Sequence, residues 1–395
     1  MTGRRVVASQ RHGLRKLFMK HWLYKSGWRL LPGLMAAGVT LLAARLGIVQ
    51  SLEQTVYRTL FSVRGEQPWD ERVAVIEIDE ASLAAIGQFP WPRHYYTDLL
   101  EQLTPASVIA FDILFAESSE DDAALAKAMD RHGEVVLATA WDEQRGVIGP
   151  NAMVVEGAIA TGHIHNHGDV DEITRAYQPK INGTLALSML AVQRYSQQQS
   201  VYASLSVRDI DQPLWLNWPG FAHHAPRYSF VDVLTGKVPG TIFTDKIVFI
   251  GFTGVGLDVV ATPYNQNPPA AGVYQHVVAA NNLLSQNHLQ PIVLPVWILF
   301  ALLSSLVGYG FCYRRLRIQL LVSLTIVFVW GSLVLVAFSY SYWLPTVMPT
   351  LSIALTSMLA RFTERLKTRL QLLQWVDEIR PVSLRLHPSL KTNRY

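Results

Sequence analysis

The sequence predicts an extracytoplasmic α/β domain, with a mixed or parallel sheet covered by helices, carried on four transmembrane α-helices, one N-terminal and three C-terminal. Three observations lead there. Four long apolar stretches almost free of charge, at about 29–49, 292–313, 318–338 and 344–360, each approach the roughly 20 residues a helix needs to cross the hydrocarbon. Lys and Arg gather in the flanks of those stretches. The sequence between them alternates strand-like and helix-like runs, as expected for parallel strands joined by helical crossovers.

The charge partition gives the spans a direction. Segment 1–29 holds eight Lys/Arg and no acid, Arg314, Arg315 and Arg317 add three, and the tail from Arg361 has eight against three acids. Residues 51–290 hold fourteen Lys/Arg against twenty-seven Asp/Glu. By the positive-inside rule both termini and the Arg314–Arg317 loop face the cytoplasm, and 50–290 faces the opposite side. The basic leader 1–28 is explained as a membrane flank rather than a nucleic-acid arm, and the first span as a retained anchor rather than a cleaved signal. Arg45 snorkels at the outer end of that span. Cys312, the single cysteine, lies in the second span, so the outer domain is expected to have no disulfide and no thiolate zinc site.

Within the domain, strands are expected at Arg72–Asp79, Val108–Asp112, Glu134–Ala140, Gly162–His167, Leu214–Trp218 and Lys246–Gly251. Helices are expected at Tyr95–Leu103, Asp121–Arg131, Leu185–Arg194 and Val273–Leu284. In an open α/β sheet the carboxyl ends of strands face the ligand crevice, and Asp79, Asp112 and Asp258 fall there. They either meet in one cleft to bind a cation or polar ligand, or cap helices and close turns. Asp79, before Glu80-Ala-Ser82, suits a cap. Gly251-Phe-Thr-Gly254-Val-Gly256 reads as a turn, plain or ligand-facing. It is not a phosphate loop, because it runs into Thr262-Pro263 rather than a helix and lacks Lys-Ser/Thr. His163, His165 and His167 alternate and would share one strand face at about 6.8 Å spacing. They are weak candidates for metal, otherwise a pH-responsive or merely exposed face. No nucleophile-elbow, Ser-x-x-Lys or His-Glu-x-x-His motif is present, and neither an enzyme nor a cofactor is expected.

Several blocks resemble a known family. Ile76-Glu-Ile-Asp79-Glu-Ala-Ser-Leu83, Gly87-Gln-Phe-Pro-Trp91-Pro-Arg93 and Ile109-Ala-Phe-Asp112-Ile-Leu-Phe115 are followed by Gly162-His-Ile with Asp169-Val-Asp-Glu-Ile-Thr-Arg175. Tyr228-Ser-Phe, Asp232–Gly236, Lys246–Gly251, Asp258, Thr262-Pro263, Gly272-Val273 and His276 complete the order. They resemble the second type of CHASE domain, the extracellular sensory domains of bacterial cyclases and kinases, over about residues 50–290 and with the same one-plus-three span layout. The resemblance implies a bacterial inner-membrane input protein with a periplasmic domain. Its candidate ligand-binding residues are Asp79, Ser82, Trp91, Arg93, Asp112, Arg175, Asp258 and His276. Tyr274 and Val278 depart from the family's acid and Asn at those positions.

Family members usually continue into a catalytic output domain, whereas 361–395 is a short tail. Leu366, Leu370, Leu373 and Val376 fall at three- and four-residue steps, which suggests a short amphipathic helix, either lying on the inner leaflet or docking a separate effector. The partners expected are the bilayer, an effector or complex subunit, and a second copy in a homodimer, with no nucleic acid. The alternative functions are a structural subunit of an envelope complex and, behind it, a periplasmic enzyme.

Overall fold

A computed structural model describes residues 28–142, 146–165, 173–199, 212–256, 258–292, 303, 306–311 and 314–385. The chain divides into two compact units, one of residues 57–291 with 337–343 and the other of 1–56, 292–336 and 344–395.

Helix α1 (Trp28–Arg45) is followed by α2 (Ile48–Arg64). After them come β1 (Val73–Ile78), α3 (Glu80–Ile86), α4 (His94–Gln102), β2 (Val108–Asp112), α5 (Asp122–His132), β3 (Val135–Asp142), β4 (Gly146–Ile148), α6 (Ala152–Glu156) and β5 (Ala160–His163). Short strands β6 (Ala176–Tyr177), β7 (Lys180–Ile181) and β8 (Thr184–Leu185) precede α7 (Leu187–Gln198) and β9 (Leu214–Trp215). Then follow β10 (Arg227–Ser229), α8 (Phe230–Leu234), β11 (Ile247–Phe252), β12 (Val259–Val260), β13 (Ala270–Ala271), α9 (Val273–Ser285) and β14 (Gln290–Pro291). Helix α10 (Leu316–Ser339), strand β15 (Tyr342–Trp343) and helix α11 (Val347–Arg385) complete the described chain.

The first unit is built on a sheet ordered β10-β1-β11-β2-β3, with β5 and β4 both pairing β3; every pairing is parallel except β3 with β4. The expected α/β class therefore stands, and its sheet is mixed. Strand β1 is buried at all six positions, as a near-continuous apolar run covered on both faces must be. One face carries Ala74, Ile76, Ile78, Ile109, Phe111, Val248 and Ile250, and packs with Tyr96, Leu99, Leu125, Met129 and Phe230 of α4, α5 and α8. The opposite face is covered by α7 and α9. The run Ala-Thr-Gly-His of β5 lies close under the start of α7 because Gly162 has no side chain: a Cβ there would sit 2.7 Å from the Cα of Leu187. Gly162→Ala is expected to destabilise this unit by about 1–3 kcal/mol or more, since backbone rather than a movable side chain must yield. Denaturant midpoints of parent and variant check it.

The expected strand Gly162–His167 is realised only as far as His163, and His167 lies outside the described residues. The other expected elements are found within a few residues of their bounds, except Leu214–Trp218, which shortens to two strand residues.

The second unit supports the membrane reading in part. Among the described residues α10 is long and apolar enough to cross a membrane, and α1 with α2 pass the same test only together, as a pair bent by 81°. The bend follows Arg45, at Gly47 in the left-handed region (φ +80°). The described residues thus supply one such helix, or two counting the bent pair, where four were expected. Most of 292–313, with Cys312, lies outside the described residues. The stretch 344–360 is the first part of a 39-residue helix, α11, which continues into the tail. Pro349 is tolerated in its first turn, and no Gly or Pro recurs before Pro381, so nothing separates span from tail. Leu366, Leu370, Leu373 and Val376 are all exposed on it, but so are Leu372 and Trp375, so the apolar surface is wider than one stripe.

Inside this unit Gly308 lets its helical segment touch Gly33 and Thr356: a Cβ at 308 would fall 2.9 Å from the Gly33 nitrogen. Small residues at helix contacts serve this close approach in membranes. Gln319 donates to the Phe311 carbonyl at 2.7 Å and accepts from Arg361 at 2.7 Å.

Candidate functional site

The register of the sheet builds a row of residues at the carboxyl ends of four strands. Ser229 on β10 pairs with Glu77 on β1, Glu77 with Gly251 on β11, and Gly251 with Asp112 on β2. The first residues of α9 meet this row position by position. Tyr274 donates its hydroxyl to Glu77 Oε1 at 2.6 Å. Val273 occupies the space over Gly251, where a Cβ would lie 2.7 Å from that of Val273. His276 places Nε2 3.9 Å from Asp112 Oδ1.

From His276 a chain of hydrogen bonds runs away from the sheet. The Tyr177 hydroxyl lies 2.7 Å from His276 Nδ1, and Ser188 on α7 donates to that hydroxyl at 2.7 Å. With Ser188 donating, the phenol proton goes to Nδ1, which assigns the imidazole hydrogen to Nε2, facing Asp112. The ring of His163 stacks at 6.5 Å on Tyr177, and Trp141 lies 5.6 Å from His163 and 6.4 Å from His165. His163, Ser188, Tyr177 and His276 are each at most 2% exposed. The seam therefore joins β2, β5, β6, α7 and α9 inside the domain.

Burial dominates its electrostatics. Asp112 is pushed well above the usual carboxylate range by burial and then by the neighbouring charge of Asp258. His276 is pushed down to about 3 by burial and then by His163. At 3.9 Å the pair is beyond a hydrogen bond, so its attraction does not offset the desolvation of two charges, and burial favours the neutral form of each group. Tyr177 and Tyr274 are raised, both chiefly by burial. Asp258 is raised by burial although the residue as a whole is exposed, because its carboxyl end turns inward. That carboxyl lies over Gly272, where a Cβ would fall 2.0 Å from Oδ2. Asp258 itself holds a left-handed backbone (φ +40°), which Asp tolerates better than most side chains.

Between the two readings of the three acids, one shared cleft or separate caps and turns, the fold divides them. The charge of Asp258 bears on Asp112, whereas Asp79 caps α3: its Oδ1 accepts from Ser82 N at 2.9 Å, Ser82 Oγ at 2.6 Å and Ser229 Oγ at 2.8 Å. Asp79 and Ser82 thus form one helix cap. Trp91 donates to the Gly87 carbonyl at 2.8 Å and packs on Phe230 at 4.9 Å. Arg93 pairs with Asp122 at 3.2 Å, donates to the Glu117 carbonyl at 2.8 Å and lies 4.8 Å over Phe115. Arg175, buried, has its guanidinium 4.9 Å over Tyr57. The block Asp169–Glu172 lies outside the described residues. Among the described residues no group of three His, Cys, Asp or Glu side chains could hold a metal ion. In the glycine turn, Val255 N donates to Glu80 Oε1 at 3.0 Å, which ties the turn to α3.

Glu77 in the row, and Tyr177 and Ser188 in the seam, were not singled out from the sequence, and Tyr274 was noted there only as a departure from the family's pattern. The signal for Glu77 was present, as an acid inside the apolar run Val-Ala-Val-Ile-Glu-Ile. Tyr177 and Ser188 come from short elements whose placement only the tertiary fold decides.

A family model described as the CHASE2 domain matches residues 34–310. No curated protein and no solved structure matches the chain.

Proposed function

The chain belongs to the CHASE2 domain family, extracellular sensory domains, and from that premise we propose that it is a bacterial inner-membrane input protein. Its domain 50–290 faces the periplasm, receives a signal molecule or protein, and passes its state through the membrane helices to a separate effector. The four-span layout with both termini in the cytoplasm belongs to this reading, on the strength of the charge partition. The chain itself performs no catalysis in it.

The supporting observation is the position of α9. Its first turn carries Tyr274, which bonds Glu77 in the last row of the sheet, and His276, which faces Asp112 and bonds Tyr177, and it is the last helix of the domain before the chain returns to apolar sequence. The strand that follows, β14, pairs in parallel with β15, the connection between α10 and α11, through Gln290 with Tyr342 and Pro291 with Trp343. A change in how α9 seats on the sheet therefore has a short covalent and hydrogen-bonded route to two helix ends. A ligand that binds the two seatings with different affinity would shift their populations.

The full chain, gently solubilised with what co-purifies, tests this. In the sensory reading His276→Ala changes the activity of the associated effector while the complex stays assembled, and truncation before Arg361 releases the effector. If His276→Ala leaves that activity unchanged and changes in the spans or tail dissolve a complex, the protein is a structural subunit of an envelope assembly instead.

A further inference from the structure

Glu53 is the only acid between Trp28 and Arg64. It sits on α2, is 8% exposed, and its Oε1 accepts from the backbone nitrogens of Thr346 at 2.8 Å and Val347 at 2.7 Å. These are leading amides of α11, which have no partner within their own helix. The rest of that turn is already held: Thr350 Oγ1 donates to the carbonyls of Thr346 and Val347 at 3.0 and 2.9 Å, and Trp330 Nε1 of α10 donates to the Pro345 carbonyl at 3.2 Å. A carboxylate at a helix N-terminus gains from the helix dipole as well as from two charge-assisted hydrogen bonds. Its second oxygen, Oε2, is buried with no hydrogen-bond partner among the described residues, a cost retained at this position.

We propose that Glu53 is the coupling residue between the helix that leads into the domain and the helix that leads to the tail, locking α2 to the first turn of α11. Helix α2 runs unbroken from Glu53 to Arg64, so a tilt or rotation of its outer half moves the carboxylate, and with it the first turn of a rigid 39-residue helix. The inference rests on the relay reading above and names one residue through which the relay passes.

Hydrogen exchange of the full chain in lipid nanodiscs tests it, with Glu53→Ala, Glu53→Gln and, as a perturbation of the domain, Asp112→Asn. Glu53→Ala raises exchange of the Thr346 and Val347 amides about tenfold, the scale of a lost helix cap, while Glu53→Gln, which keeps an acceptor, raises it less. Asp112→Asn alters exchange over 366–376 in the parent chain, and that response is abolished in Glu53→Ala. An equal response with and without Glu53 overturns the coupling role and leaves the sensory reading standing. No response to Asp112→Asn in either background overturns both, and unchanged exchange at Thr346 and Val347 in Glu53→Ala overturns the lock itself.

Discussion

Replacing Arg93 with Met is expected to destabilise the region around α4, α5 and α6 by about 3–5 kcal/mol, because it leaves Asp122 buried without its counter-charge. Asp122 is 2% exposed and Arg93 8%. The Asp122 Oδ2 accepts from Ser119 N at 2.7 Å and from Asn151 Nδ2 at 2.9 Å, while Asn151 Oδ1 caps α6 through Met153 and Val154. One cation thus stitches the turn before α4, the loop after β2 and the starts of α5 and α6. Native-state hydrogen exchange over Leu125–Met129 should rise by roughly two to four orders of magnitude, since about 1.4 kcal/mol corresponds to a factor of ten. The double change Arg93→Met with Asp122→Leu should recover only part of the loss, because Ser119 N and Asn151 Nδ2 then lack their acceptor. This outcome distinguishes a buried stitch from a ligand contact: removing a ligand contact would leave exchange in the free protein near its parental rate.

The comparison of Arg93 with Asp112 shows how far the sequence is legible. Both lie in blocks that resemble the family, and both are buried in the fold, but the resemblance cannot separate a residue kept for the stitch from one placed on the ligand-facing row. That distinction depends on Asp122, which reaches Arg93 from 29 positions away, and on Asn151, which bonds Asp122 from 29 positions further on. Strands β1, β2 and β11 were readable because each is a short, largely apolar run. Their order was not, since β11 inserts between β1 and β2 only through the return of the chain after residue 246. Asp79 was readable as a cap because its partner Ser82 is local, whereas His276 meets Tyr177 across ninety-nine positions. The long α11 was missed because hydropathy marks where the apolar residues stop. Helix continuity depends instead on the lack of a breaker between Pro349 and Pro381.

The Asp112–His276 pair is expected to give stability two opposed pH contributions, one from His276 that is lost as pH falls from about 6.5 toward 3, and one from Asp112 that is lost as pH rises from about 3.9 through its raised value. The sign follows from counting protons. In the folded protein Asp112 is protonated, held well above its ordinary range by burial and Asp258, and His276 is neutral down to about 3. The folded pair therefore carries one proton. Unfolded, with ordinary values near 3.9 and 6.5, the same two groups carry two protons below about pH 3.9, one between, and none above about 6.5. Stability contributed by the pair thus rises with pH from about 3 to 3.9 and is level from there until either the unfolded His276 or the folded Asp112 begins to lose its proton. Asp112→Asn leaves only the His276 contribution, which is lost as pH falls from about 6.5 toward 3, so its curve should rise to about pH 6.5 and then stay level. His276→Gln leaves only the Asp112 contribution, which is lost as pH rises from about 3.9 to the raised value. Denaturation of the full chain across this range, read as parent minus variant, isolates the pair from every other titrating group. Parent and Asp112→Asn curves that run parallel from about pH 3.9 upward would refute the one-proton seam. When pH rises through the raised value of Asp112, the departing proton leaves a carboxylate beneath His276, at the first turn of α9.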